Sequence, residues 1–62
     1  MPKLKKFYEL INRNARVTLV NGKLDKVLYQ GSIQDIPDSY DDWNVADFSI
    51  SSQGNFLFKI KE

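Results

Sequence analysis

Leu4, Phe7, Tyr8 and Ile11 follow one another at the i, i+3, i+4, i+7 spacing of a single helical face, and Leu10 widens the stripe. The spacing predicts a helix over residues 3–13, with Pro2 suited to its first turn and Asn14 as a left-handed cap. From Ala15 the period changes to two. Ala15, Val17 and Leu19 fall on one side of a first strand, and Arg16, Thr18 and Val20 on the other. Asn21-Gly22 is a turn signal, but a two-residue turn there would set Val17 against Lys26. A longer loop through Lys26 pairs Leu19 with Val27 and Val17 with Tyr29, and is the better register. The second strand then covers residues 27–36 with a bulge or bend at Gly31, and Ile36-Pro37 ends it because proline cannot donate to a ladder.

Residues 38–43, Asp-Ser-Tyr-Asp-Asp-Trp, read as a loop with a short helical turn, Asp38 being its N-cap. Beyond it two further alternating segments, residues 45–51 and 55–61, put Ala46, Phe48 and Ile50 on one side and Phe56, Phe58 and Ile60 on the matching side. A three-residue loop, Ser52-Gln53-Gly54, with Gly54 in the left-handed region sets Ile50 opposite Phe56, Phe48 opposite Phe58 and Ala46 opposite Ile60. The expected fold is therefore a single α+β domain over residues 1–62, an N-terminal helix packed on a four-stranded, curved antiparallel sheet made of two hairpins. Val20, Leu28, Val45 and Leu57, with Ile36 and Trp43 nearby, leave the far side of that sheet partly apolar. Curling of the sheet would bury them, and a flat sheet would present them as a contact surface.

The chain of 62 residues is near the lower limit for a core that stands without a staple, and it contains neither cysteine nor histidine. Disulfides, thiolate or imidazole metal ligands, and Ser-His-Asp or Cys-His catalysis are excluded with those residue types. The three glycines are isolated, so no phosphate-binding loop is present, and the aspartates do not follow a calcium-loop pattern. No enzymatic activity and no cofactor are expected. No signal-like or membrane-spanning apolar run interrupts the pattern, so a cytoplasmic protein without membrane association is expected, as a monomer or weak homodimer. Lys59 and Lys61, placed near a sheet edge, would discourage self-association.

Net charge is +1, but the charges are segregated. Seven of the nine basic residues lie between Lys3 and Lys26, and none lies between Val27 and Phe58, where Asp35, Asp38, Asp41, Asp42 and Asp47 are found. Two candidate surfaces follow. Aromatics are enriched at interaction hot spots, which makes the acidic loop with Asp38, Tyr40, Asp41, Asp42 and Trp43 a candidate protein-binding site, unless Tyr40 and Trp43 simply close the core. Lys3, Lys5, Lys6, Lys59 and Lys61 would form a basic nucleic-acid-binding patch if the two termini lie side by side. Gly54-Asn55-Phe56-Leu57-Phe58 has the aromatic alternation of an RNA-binding strand, but Gln53 stands where a basic residue belongs, and burial of Phe56 and Phe58 explains the pattern better.

Phe7-Tyr8-Glu9-Leu10-Ile11 leading into Ala15-Arg16-Val17, followed by the run from Leu28 through Tyr29, Gly31, Ile33 and Asp35 to Ile36-Pro37, resembles small uncharacterised proteins carried by phages, prophages and mobile elements of Gram-positive bacteria. The resemblance implies an accessory protein of a phage or mobile element, and the partner expected for the acidic loop is then a host or phage protein. It brings no assigned activity, so no functional residue is carried over from it.

Overall fold

In the computed structural model, which describes residues 2–62, a four-stranded mixed sheet is covered on one face by a short helix and a crossover segment. The elements are α1 (Leu4–Tyr8), β1 (Arg16–Asn21), β2 (Lys26–Ser32), β3 (Asn44–Ile50) and β4 (Phe56–Lys61), with two 3-10 turns, Ile33–Asp35 and Asp38–Tyr40, between β2 and β3. The strand order is β2-β1-β4-β3. Both hairpins are antiparallel as expected, but they meet through a parallel ladder that sets Val17 against Phe56, Leu19 against Phe58 and Asn21 against Ile60. The expectation of a wholly antiparallel sheet is thereby corrected. A chain leaving β2 at one edge enters β3 at the other, and that crossing lays Ile33 and Ile36 on the core face, where both are buried. A sheet this small has one sheltered face, and the crossover supplies part of the cover that a longer helix would otherwise give.

The helix is five residues long, against the eleven its stripe predicts. No side chain caps its start and no acidic residue occupies its first turn. The crossover answers its free donors instead, because the amides of Leu4 and Lys5 bond to the carbonyls of Trp43 and Asp41 at 2.8 and 3.2 Å. At the other end Asn12 competes for the backbone: its Oδ1 accepts the amide of Asn14 at 2.8 Å and its carbonyl accepts that of Ala15. Asn12 thus turns the chain in place of the left-handed Asn14 cap, since Asp25 carries the one positive φ among described non-glycine residues. Leu4 and Ile11 still reach the core, but Leu10 is 80% exposed and drops out of the stripe.

Two bulges account for the remaining differences of register. Asn21 pairs with Lys26 across a four-residue loop in which Asn21 Oδ1 accepts the amides of Lys23 and Leu24 and Asp25 adopts φ 55°. An irregularity at Leu28 then moves Leu19 opposite Tyr29 and Val17 opposite Gly31, two residues from the expected partners but on the same face. The second strand ends at Ser32, not Ile36. Gly31 is not the bulge. It is required by close approach, because a Cβ there would lie 2.7 Å from the Tyr29 hydroxyl, which donates to the Ser32 carbonyl. The β3–β4 hairpin keeps the expected pairs Ile50–Phe56 and Phe48–Phe58, with Gly54 at φ 82°. At its far end Ala46 is the extra residue, so Val45 replaces it opposite Ile60 and becomes buried.

Leu4, Val17, Leu19, Ile33, Ile36, Val45, Phe58 and Ile60 form the buried core, and no buried side-chain polar atom among the described residues lacks a partner. Phe58 is its centre, at 1% exposure, with Phe7 packed edge-on at 5.2 Å and Phe48 stacked at 5.7 Å. Phe58→Ala is expected to cost about 3–5 kcal/mol, most of the stability of so small a domain. Leu10→Ala is expected to fall within about 0.5 kcal/mol of wild type, since Leu10 stands in solvent. Urea midpoints of the two variants check both statements, and a large loss for Leu10→Ala would mean that the longer helix forms in solution.

Candidate functional site

Residues 38–43 lie along the crossover where it passes the start of α1. Pro37, not Asp38, occupies the N-cap position, and no side chain caps the 3-10 turn. Backbone bonds from Tyr40 to Pro37, Asp41 to Asp38 and Trp43 to Tyr40 hold the segment, all between 3.0 and 3.1 Å. Tyr40 and Trp43 meet edge to face at 5.3 Å, and both are half-buried against the core. They plug the core and present an edge to solvent at the same time. The exposed side of Trp43 lines an open groove with Asn21, Lys23, Lys61 and Glu62.

The carboxylates of the segment differ in their surroundings. Asp38 is exposed. Asp41 is half-buried and accepts the Tyr8 hydroxyl at 3.0 Å, and Asp42 forms an exposed ion pair with Lys5 at 3.3 Å. Burial, reinforced by the hydrogen bond to Asp41 and by the negative charges of Asp41 and Asp38, pushes the Tyr8 hydroxyl well above the usual tyrosine range. Tyr8 therefore joins the site as its link to α1. Nothing in the residue pattern marks this contact, because Leu4 and Tyr8 at i, i+4 look like ordinary core partners. Asp47 lies apart on β3, and among the described residues no three acidic side chains gather closely enough to hold a metal ion.

The five lysines of the basic candidate divide into two groups. Lys3 bridges Asn44, which pairs with Lys61, so these three residues form a row across neighbouring strands about 4.8 Å apart. Alternation against buried Leu4, Phe58 and Ile60 directs Lys3, Lys59 and Lys61 to the open face of the sheet. Arg16 shares that face, being opposite in phase to buried Val17. The basic set of five lysines leaves it out, although the alternation of β1 marks it. Lys5 and Lys6 instead sit on α1, Lys5 facing Asp42. Phe56 and Phe58 belong to the covered face, so the open face offers no aromatic ring for stacking on bases.

Most of the apolar set assigned to the far side of the sheet belongs to the core. Ile36 and Val45 are buried, and Leu28 and Trp43 pack partly against them. Val20 is half-buried, and Leu57 remains 37% exposed on the open face between Thr18 and Ser49. No helix of the described residues is long and apolar enough to cross a membrane.

Fold and site define a small α+β domain with an acidic, aromatic crossover on the covered side of a mixed sheet and, on its open face, Lys3, Arg16, Lys59 and Lys61 with Asp47 opposite Lys59. Comparison of the chain with family models, with curated proteins and with solved structures gives no match.

The Tyr8–Asp41 bond generates a pH prediction. A hydroxyl whose value is raised on folding stabilises the fold fully below the unfolded tyrosine value of about 10, and that contribution disappears as pH rises through the higher folded value. Tyr8→Phe is expected to cost about 1 kcal/mol at neutral pH. Its deficit relative to wild type should close and then invert above about pH 10, in urea denaturation followed by circular dichroism at stepped pH. Trp43→Ala should cost about 2 kcal/mol, less than a fully buried aromatic, because part of the ring is already in water.

Proposed function

We propose that this protein is a non-catalytic binding domain that contacts another protein, a host or phage protein if it is an accessory of a mobile element, through the crossover segment bearing Asp38, Tyr40, Asp41, Asp42 and Trp43. The observation that carries the reading is the fixing of this segment. Its backbone is bonded to α1, and its two aromatics are anchored against the core, yet Asp38 stands free in solvent and Asp42 stays exposed in its pair with Lys5 beside their open edges. A rim of this kind loses little conformational freedom on binding, which is what separates a recognition loop from an ordinary connection. Its charge suits a basic partner surface.

Affinity capture from bacterial lysate with quantitative mass spectrometry tests the proposal. Asp38→Lys/Asp42→Lys should keep the fold, since the Lys5–Asp42 pair is exposed and worth at most about 1 kcal/mol. It should lose the captured protein, or slow its association in a salt-dependent way. Retention of the same partner by this variant would refute the site.

A second reading, nucleic-acid binding, is favoured by the row of Lys3 and Lys61 with Lys59 and Arg16 on the open face. It would be a backbone-phosphate contact without base stacking, and so steeply weakened by salt. Labelled oligonucleotides titrated at two salt concentrations distinguish it. Micromolar binding at physiological salt, abolished by Lys3→Glu/Lys59→Glu/Lys61→Glu but kept in Asp38→Lys/Asp42→Lys, would put this reading first.

A further inference from the structure

The lysines expected to guard a sheet edge do not stand at one. β4 is a central strand, so Lys59 and Lys61 lie inside the sheet, and the edge beside them is β3, which has no basic residue. Part of this edge is already closed, because Val45 donates to the Pro2 carbonyl at 2.8 Å and Lys3 bridges Asn44. From Asp47 to Ser51 it is open. The Ser51 amide points inward to the Asn55 carbonyl at 2.8 Å, so by alternation the amides of Phe48 and Ile50 point outward. The same two residues are the apolar ones, Phe48 44% and Ile50 56% exposed at the margin of the core face, where the Phe7 ring of α1 covers Phe48 only in part at 5.7 Å.

We infer that β3 is a self-association edge whose occupant is the β3 strand of a second copy, paired antiparallel about a two-fold axis at Ser49. The argument is self-complementarity. With Ser49 on the axis, Phe48 of one copy falls opposite Ile50 of the other, and outward-facing residues meet outward-facing residues, as a hydrogen-bonded antiparallel pair requires. Each exposed side chain gains an apolar partner on the same face. A two-residue shift of register would instead pair like with like and leave one pair of side chains uncovered. Charge does not oppose the contact, since Asp47 would meet Ser51 and the two Asp47 side chains would be separated by about 14 Å along the strand, beyond a Debye length of about 8 Å. The patch is small against the area of a permanent dimer, which makes the association weak and concentration-dependent.

Asp47 regulates this edge. Its Oδ1 accepts the outward amide of Phe48 at 2.9 Å, occupying the donor that the second copy would need. Pairing must release this bond in each copy. Asp47→Ala is therefore expected to tighten self-association by about tenfold, since two such bonds per dimer no longer have to break. Ile50→Lys, at an exposed position whose amide faces away from β4, should leave the fold intact and abolish association. Sedimentation equilibrium from micromolar to millimolar concentration, with amide exchange of Phe48 and Ile50 followed by NMR, reads both effects. Circular dichroism confirms that each variant is folded. Concentration-dependent protection of these two amides, stronger in Asp47→Ala and lost in Ile50→Lys, is the expected result. Wild type and Asp47→Ala both monomeric at millimolar concentration would overturn the inference and leave the edge to a segment of a different chain. A dimer undisturbed by Ile50→Lys would overturn it equally. Neither outcome depends on the acidic crossover, which lies outside this edge.

Discussion

Leu19 and Phe58 face each other in the parallel ladder between β1 and β4, both wholly enclosed, and the other elements take their places around that contact. Because the two central strands run in the same direction, each hairpin must extend outward from the middle, and β2 and β3 become opposite edges. The connection between those edges has to span the sheet. In doing so it brings Ile33 and Ile36 into the core and carries the acidic, aromatic segment to the start of α1. The helix is short because the crossover already occupies part of the covered face. It is nevertheless secured, since the crossover's carbonyls receive its first amides.

The local parts of this arrangement were legible in the chain. The β3–β4 hairpin follows from alternation plus one glycine able to adopt the left-handed conformation, so its loop and its first pairs were readable directly. Val17, Leu19, Phe56, Phe58 and Ile60 were assigned to one face for the same reason. What was not legible is nonlocal or depends on one extra residue. Nothing in residues 17 and 56 marks them as neighbours in a parallel pair, and the default of sequential hairpins lying side by side is as compatible with the pattern. The bulges at Leu28 and Ala46 change partners without changing composition, which is how Val45 exchanged roles with Ala46.

The candidate site was legible as a list of residue types but not as a set of relationships. Acidic and aromatic residues within one short segment identified a surface, whereas the division of labour among them depends on tertiary contacts. Asp41 is bound by Tyr8 and Asp42 by Lys5, while Asp38 stays free. The basic residues behave similarly, since only strand alternation sorts Lys59 and Lys61 from Lys5 and Lys6. Segregation of charge along the chain is therefore not kept in the fold, since Asp47 on β3 stands opposite Lys59 on the open face and the helix sets basic groups beside the acidic rim.

The parallel ladder also shapes how the molecule is assembled. Each hairpin joins segments close in sequence and closes a short loop, but Val17 and Phe56 can meet only after the intervening chain has been brought round, at a far larger entropic cost. During that interval β1 and β4 are both edge strands, apolar and unpaired on their inner sides, and they are the two strands that the finished sheet places at its centre. The inner edges of the half-formed protein are therefore its sites of greatest exposure to wrong partners, including the equivalent hairpin of another molecule, and speed of closure rather than final stability governs how often that error occurs.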